Sequence, residues 1–220
     1  MINQLEKNSI YEDFLEKISE IYKVAPNIFS QKNGFDFDKY HTTLEYSAAS
    51  NLAFDLDLEI QYGATKIVFI DLSDDYVLKV PMGKVDFCAI EVENYTKIST
   101  KYPEYAKYLA ECWYAGNFST NEKEIPMYIM QRADIDPDRV SDISYKSYIS
   151  NNPEDPDGEE YYCYWDESDI AYDCLYTIYG DVISDLYEIF NEFDINDIHT
   201  SNIGFIAEDE PIVIDYSGFY

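Results

Sequence analysis

The 220 residues include 46% hydrophobic side chains, enough to bury a full core and to exclude a disordered chain, and the length suits one domain or one domain of two lobes. Asp and Glu number 44 against 15 Lys and Arg, a formal charge of −29, which argues against direct contact with nucleic-acid backbones or anionic membrane surfaces. The charge is uneven: no Lys or Arg follows Lys146, and Ser147 to Tyr220 holds 19 acids. A solvated acidic face, a site for a cationic ligand or metal, and a surface that imitates nucleic acid all fit that pattern.

The first element is a helix, with a capping-box start at Ser9 and Glu12 and an apolar stripe of Ile10, Phe14, Ile18 and Ile21. Pro26 follows it, 31–38 reads as loop around Gly34, and 40–53 suits a short helix. From Phe54 the period becomes two: Phe54, Leu56, Leu58 and Ile60 alternate with Asp55, Asp57, Glu59 and Gln61, a half-buried strand. Strands at 66–72 and 76–80 follow, joined by Ser73-Asp74-Asp75 and halted by Pro81, which makes an antiparallel meander. A helix is expected over 86–101, strands over 110–115 and 127–132, and an acidic, breaker-rich loop over 151–160. Helices at 168–179 and 181–193 precede two short strands, 203–206 and 211–214, joined by a turn at 208–210.

Cys88, Cys112, Cys163 and Cys174 form no C-x-x-C pair, so reduced and mostly buried thiols in a cytoplasmic protein are expected, with Cys163 and Cys174 as packing residues. No apolar run nears the roughly 18 residues of a bilayer span, and the N-terminus lacks the pattern of a signal peptide. Tyr161, Tyr162, Tyr164 and Trp165 read as core or interface rather than as a platform for stacking bases. His41 reads as an isolated loop residue, and His199 as a structural hydrogen-bonding residue.

Three pieces carry chemistry. Gly63-Ala64-Thr65 separates two strands, and the third strand places Lys79 among Val77, Leu78 and Val80. An ammonium in that setting requires an anionic partner, because burying it unpaired is expensive. The next helix offers Glu91 and Glu93, and Glu91 shares the face of Phe87, Ile90, Asn94 and Ile98, so Glu91 is the expected partner. In the tail, Asp197 and Asn202 have D-x-x-x-x-N spacing between a helix and a strand, and Asp215 ends the neighbouring apolar strand. Two strands joined by a tight turn can bring Asn202 and Asp215 together as oxygen ligands for Mg²⁺, which commonly takes one or two carboxylates plus substrate phosphates.

From about Phe54 to Tyr220 this order of residues resembles the protein-kinase-like fold, and the tail is more similar to its aminoglycoside and choline phosphotransferase branch. The resemblance implies an α+β, two-lobed architecture. An N-lobe over 54–133 has a five-stranded antiparallel sheet and one helix, a reduced, mostly helical, acidic C-lobe spans 134–220, and 1–53 is a helical extension. It further implies that Lys79, with Gly63 and Thr65, holds the phosphates of ATP. Glu91 then orients Lys79, Asn202 and Asp215 hold Mg²⁺, and Asp197 takes or orients the acceptor hydroxyl. The sequence departs from the family pattern at three places. Only Gly63 stands where a glycine-rich loop is usual, Asp215-Tyr216-Ser217 replaces Asp-Phe-Gly, and five residues follow Asp215, without room for an activation segment or acceptor-binding helices.

Three functions are therefore open. The first is a small ATP- and Mg²⁺-dependent phosphotransferase acting on a hydroxyl of a small molecule or protein, with a cationic acceptor. The second is a pseudokinase-type module that docks a basic partner protein. The third is an acidic nucleic-acid mimic that inhibits a DNA-binding enzyme, in a phage, anti-defence or immunity setting.

Overall fold

The computed structural model describes residues 3–24, 60–62, 65–81, 85–120, 124–208 and 210–218. The expected loop at 31–38, the helix at 40–53, the first six residues of the strand expected from Phe54, and His41 and Gly63 lie outside them. The fold is α+β, with a five-stranded antiparallel sheet. The chain divides into two compact units, Met1–Val92 with Glu111–Arg132, and Glu93–Ala110 with Ala133–Tyr220. Among the described residues, no helix is long and apolar enough to cross a membrane.

The first unit is a sheet of β1 (Ile60–Tyr62), β2 (Lys66–Phe69), β3 (Tyr76–Pro81), β4 (Cys112–Ser119) and β5 (Glu124–Gln131), in the order β1-β2-β3-β5-β4. Helix α1 (Gln4–Val24) belongs to the same unit. Its Phe14, Ile18 and Ile21 join Ile67, Phe69, Leu78, Val80, Trp113, Met127 and Ile129 in one core. Each fully buried apolar side chain of this size contributes about 1.5–3 kcal/mol. Residues 3–24 are therefore packed against the sheet, where the sequence set 1–53 apart as an extension.

The helix also begins earlier than Ser9 and Glu12 indicate. Ser9 lies exposed within α1, and the Asn3 side chain accepts the Glu6 amide at 3.0 Å. Asn3 followed by Glu6 has the same cap-and-acid spacing one turn and a half upstream, and tertiary packing of the apolar stripe selects neither start over the other.

Strand alternation gives the sheet two faces. Ile67, Val80, Phe69, Leu78 and Ile129 line the face that joins the core with α1. Val68, Lys79 and Tyr128 lie in register across β2, β3 and β5 on the other. The connection from β3 to β4 runs through α2 (Phe87–Lys101), whose first part, to Val92, belongs to this unit. Asp86 caps α2, its Oδ1 accepting the Ala89 amide at 2.9 Å.

The second unit contains α3 (Pro137–Asn151), α4 (Glu159–Tyr164), α5 (Glu167–Tyr179) and α6 (Val182–Glu192), and α5 packs against both α3 and α6. A small antiparallel sheet in the order β6-β7-β8 joins β6 (Asp134–Ile135), β7 (Ile203–Phe205) and β8 (Pro211–Val213). Helix α3 was not expected from sequence. Its buried positions are Val140, Ser144 and Tyr148, so a hydroxyl interrupts the apolar stripe, and that hydroxyl donates to Asp173 of α5 at 2.8 Å.

Several acids of this unit act as helix caps. Asp136 accepts the Arg139 amide with Pro137 at the first helical position, and Asp166 and Asp169 form a reciprocal capping box on α5. Asp155 sits in the acidic loop, where its two carboxylate oxygens accept the Glu159 and Glu160 amides, each at 3.0 Å. Part of the acidic excess is thus structural. Tyr161 is buried against Trp165 and Tyr148, with ring centroids 5.0 and 5.4 Å away, so this member of the aromatic cluster is core. All four cysteines are free thiols; Cys88, Cys112 and Cys174 are buried, but Cys163 on the short α4 is exposed and does not pack as expected.

Candidate functional site

In the first unit Lys79 and Glu91 form the expected ion pair. Lys79 Nζ donates to Glu91 Oε2 at 3.0 Å and to Oε1 at 3.2 Å. Glu91 stands one turn into α2, which brings it over the polar file of β3 and β5. Glu93 instead pairs with Lys97 on the exposed side of the helix, at 2.6 Å.

A third charged group, not singled out in the sequence, joins the pair: Lys66 Nζ at the start of β2 also donates to Glu91 Oε1. Only 5% of Lys66, 6% of Lys79 and 1% of Glu91 is exposed. The signal for Lys66 was the one that marked Lys79, a lysine leading an apolar strand (Ile67, Val68, Phe69), but its position at the strand boundary read as an end residue. Close by, Tyr128 hydroxyl donates to Asp86 Oδ2 at 2.6 Å. The Cys88 thiol is held well above the usual thiol range, first by burial and then by the Glu91 charge, against the opposing pull of Lys66 and Lys79. It stays a neutral thiol and brings no negative charge to the cluster. Thr65 is half-buried at the entry to β2.

In the second unit the loop after α6 carries Asp197 and Asn202. The Asn202 side chain is buried, and its Nδ2 donates to the backbone carbonyl of Asp197 at 2.5 Å. That bond commits the amide nitrogen inward and leaves Oδ1 as the atom of this side chain able to meet a cation. His199 has the structural role expected of it: its Nδ1 accepts the Ser201 amide at 3.3 Å, and its carbonyl accepts the Asn202 amide at 2.9 Å. These bonds form a single 3-10 turn, Thr200–Asn202, that delivers Asn202 to the start of β7.

Antiparallel pairing of β7 with β8, Ile203 opposite Val213, sets Asn202 opposite Ile214, whose amide donates to the Asn202 carbonyl at 2.9 Å. Asp215 is the next residue. It is half-buried, and its Oδ1 accepts the Ser217 hydroxyl at 3.0 Å. Tyr216 anchors this segment: its hydroxyl donates to the Ala110 carbonyl at 2.6 Å, and its own carbonyl accepts Asn94 Nδ2 at 2.8 Å. The tyrosine and serine that depart from Asp-Phe-Gly therefore hold Asp215 in place from the C-terminal side.

Gly218 ties the tail back to the loop. Its φ is +72°, and a Cβ there would lie 2.7 Å from the Asp194 carbonyl oxygen. Gly218→Ala should cost about 1–3 kcal/mol, since it combines a left-handed backbone with a backbone clash. Chemical denaturation of the variant measures this directly.

An amide oxygen and a carboxylate on adjoining strand ends are a hard-oxygen donor set of the kind that suits Mg²⁺ when substrate phosphates complete the shell. Among the described residues, no three His, Cys, Asp or Glu side chains gather into a metal cluster. Compared with protein-family models, curated proteins and solved structures, the chain matches none.

Proposed function

We propose that this chain is a kinase-like phosphotransferase that moves a phosphoryl group from ATP to a hydroxyl of a cationic small molecule or protein. The observation that carries the reading is the buried Lys79–Glu91 pair, on the third strand of a β1-β2-β3-β5-β4 sheet with α2 between β3 and β4. In this reading the first unit is the N-lobe and the second a mostly helical C-lobe. Lys79, oriented by Glu91, neutralises charge on the nucleotide phosphates, and Gly63 and Thr65 take part in holding them. Asn202 Oδ1 and the Asp215 carboxylate hold Mg²⁺, which supplies charge neutralisation at the phosphate oxygens. The Asp197 carboxylate takes the proton of the acceptor hydroxyl as its oxygen bonds to the terminal phosphorus and the bond to ADP breaks. Phosphoryl transfer asks mainly for positioning and charge stabilisation, which this short set of groups supplies.

Thermal denaturation with ATP and Mg²⁺ tests the reading. Ligand at 100 times its dissociation constant should add about 2.7 kcal/mol of stability. Asp215→Ala should remove the Mg²⁺-dependent part of that gain and leave the ligand-free protein folded. No gain in the parent protein, or the same gain in Asp215→Ala, rejects the nucleotide or the metal assignment respectively.

A second reading is favoured by the 19 acids after Lys146: the acidic unit mimics nucleic acid and inhibits a DNA-binding enzyme. Neutralising Glu154, Asp157, Glu159 and Glu160 together tests it, with Asp155 left intact because it caps α4. Lost inhibition in that variant, with no phosphoryl transfer by the parent, selects mimicry. Nucleotide binding without transfer selects a pseudokinase-type module.

A further inference from the structure

We propose that the exposed face of α6, a row of carboxylates bordered by tyrosines, docks an arginine-rich segment of a partner protein. The face is built within the second unit and does not depend on the phosphotransferase reading.

Asp181, Asp185, Glu188 and Glu192 recur at steps of four, three and four residues. They therefore form one stripe along the solvent side of α6, whose buried side is Ile183, Leu186, Ile189 and Phe190. Helix stability does not call for this stripe. Like charges at such spacings repel, and Glu192 stands in the last turn, where the helix dipole favours cations and α6 has no basic residue. Among the described residues, Glu192 is the one member of the stripe that pairs with a cation.

That pair shows what the face holds. Lys101 Nζ donates to Glu192 Oε1 and lies 4.9 Å from the centroid of the Tyr102 ring, whose hydroxyl donates to Glu192 Oε2 at 2.7 Å. The same unit of phenol and carboxylate recurs along the stripe: the Tyr105 hydroxyl donates to Asp185 and the Tyr176 hydroxyl to Asp181, each at 2.8 Å. Tyr187 of α6 adds open aromatic area. It is 45% exposed, and its ring stands edge-on to Tyr172 of α5 with centroids 4.9 Å apart, so it is braced while facing solvent. Exposed tyrosines of this kind are favoured in protein interfaces.

The occupant follows from this chemistry. Among the described residues no three carboxylates gather at one point, so the stripe suits a string of cations rather than a single metal ion. A guanidinium pairs with carboxylates through a planar fork and stacks on aromatic rings, which matches both halves of the face.

The test titrates a nine-residue peptide of alternating arginine and serine into the ¹⁵N-labelled full chain at physiological salt, with affinity measured by calorimetry. Amide resonances of 181–192 should shift most. Asp185→Asn combined with Glu188→Gln should weaken binding about fivefold or more, the scale of two lost exposed ion pairs. The melting temperature of that variant should equal or exceed the parent's. Glu154→Gln with Asp157→Asn makes the same change of net charge in the acidic loop, and screening should hold its effect below about twofold. Tyr187→Ala leaves the charge unchanged and should weaken binding by about two- to fivefold, the scale of one exposed cation–π contact.

Equal losses in the two double variants would mean that the peptide follows net charge alone, and that result overturns the proposal. Resonance shifts centred on 151–160, parental affinity in Tyr187→Ala, or no binding by the parent overturn it as well. So does self-association of the parent that Asp185→Asn with Glu188→Gln abolishes, because α6 is then an interface between copies. Peptide binding through α6 in a protein that ignores ATP and Mg²⁺ upholds the docking face and removes the phosphotransferase. ATP binding without peptide binding does the reverse.

Discussion

Asp197→Asn is expected to slow phosphoryl transfer by about 10²–10⁴-fold, the usual contribution of a positioned general base. The substitution exchanges the carboxylate for an amide of the same size. It is the backbone carbonyl of Asp197 that receives Asn202 Nδ2, so the loop keeps the bond that orients Asn202. The 3-10 turn built by His199 is likewise independent of the Asp197 side chain. Nucleotide affinity should therefore match the parent's, and the loss should fall on kcat. Transfer at the parental rate would take the base role from Asp197. A variant that loses ATP binding along with turnover would make Asp197 a ligand-binding residue instead.

Glu91→Gln should be the most damaging single change to stability, at about 3–5 kcal/mol, because it strips two buried ammonium groups of the carboxylate they share. That is a large part of the roughly 5–15 kcal/mol that holds a typical domain folded. Glu93→Gln provides the internal control. Glu93 lies two residues along the same helix, but it meets Lys97 in solvent, where such pairs contribute about 0–1 kcal/mol. Urea denaturation of both variants gives the comparison. Equal, small effects would mean that the lysine cluster does not depend on Glu91, and the pair at the centre of the proposed function would lose its basis.

The candidate site was legible in uneven measure. Lys79 and Glu91 were readable because each is polar on an otherwise apolar periodic face, and burial of such a group predicts its complement. The D-x-x-x-x-N spacing singled out Asp197 and Asn202, and the structure shows a local reason for that spacing: a single 3-10 turn brings the Asn202 amide back to the Asp197 carbonyl. Tyr216 could not be understood from the chain's order. Its partners, Ala110 and Asn94, are 106 and 122 residues away, and a departure from Asp-Phe-Gly becomes intelligible only once they surround it.

Periodic burial was enough to place α1, the β2–β3 meander, the start of α2, and helices α5 and α6. Side-chain periodicity is a local property, written in residues a few positions apart, so it survives without knowledge of the fold. Tertiary structure decided what periodicity does not encode. It gave α3 a buried face although a serine interrupts its apolar stripe. It also brought Lys66 to Glu91, because strand register chooses which side chains become neighbours across a sheet. Register and packing partners are set by contacts between distant segments, and those contacts exist only when the chain is folded.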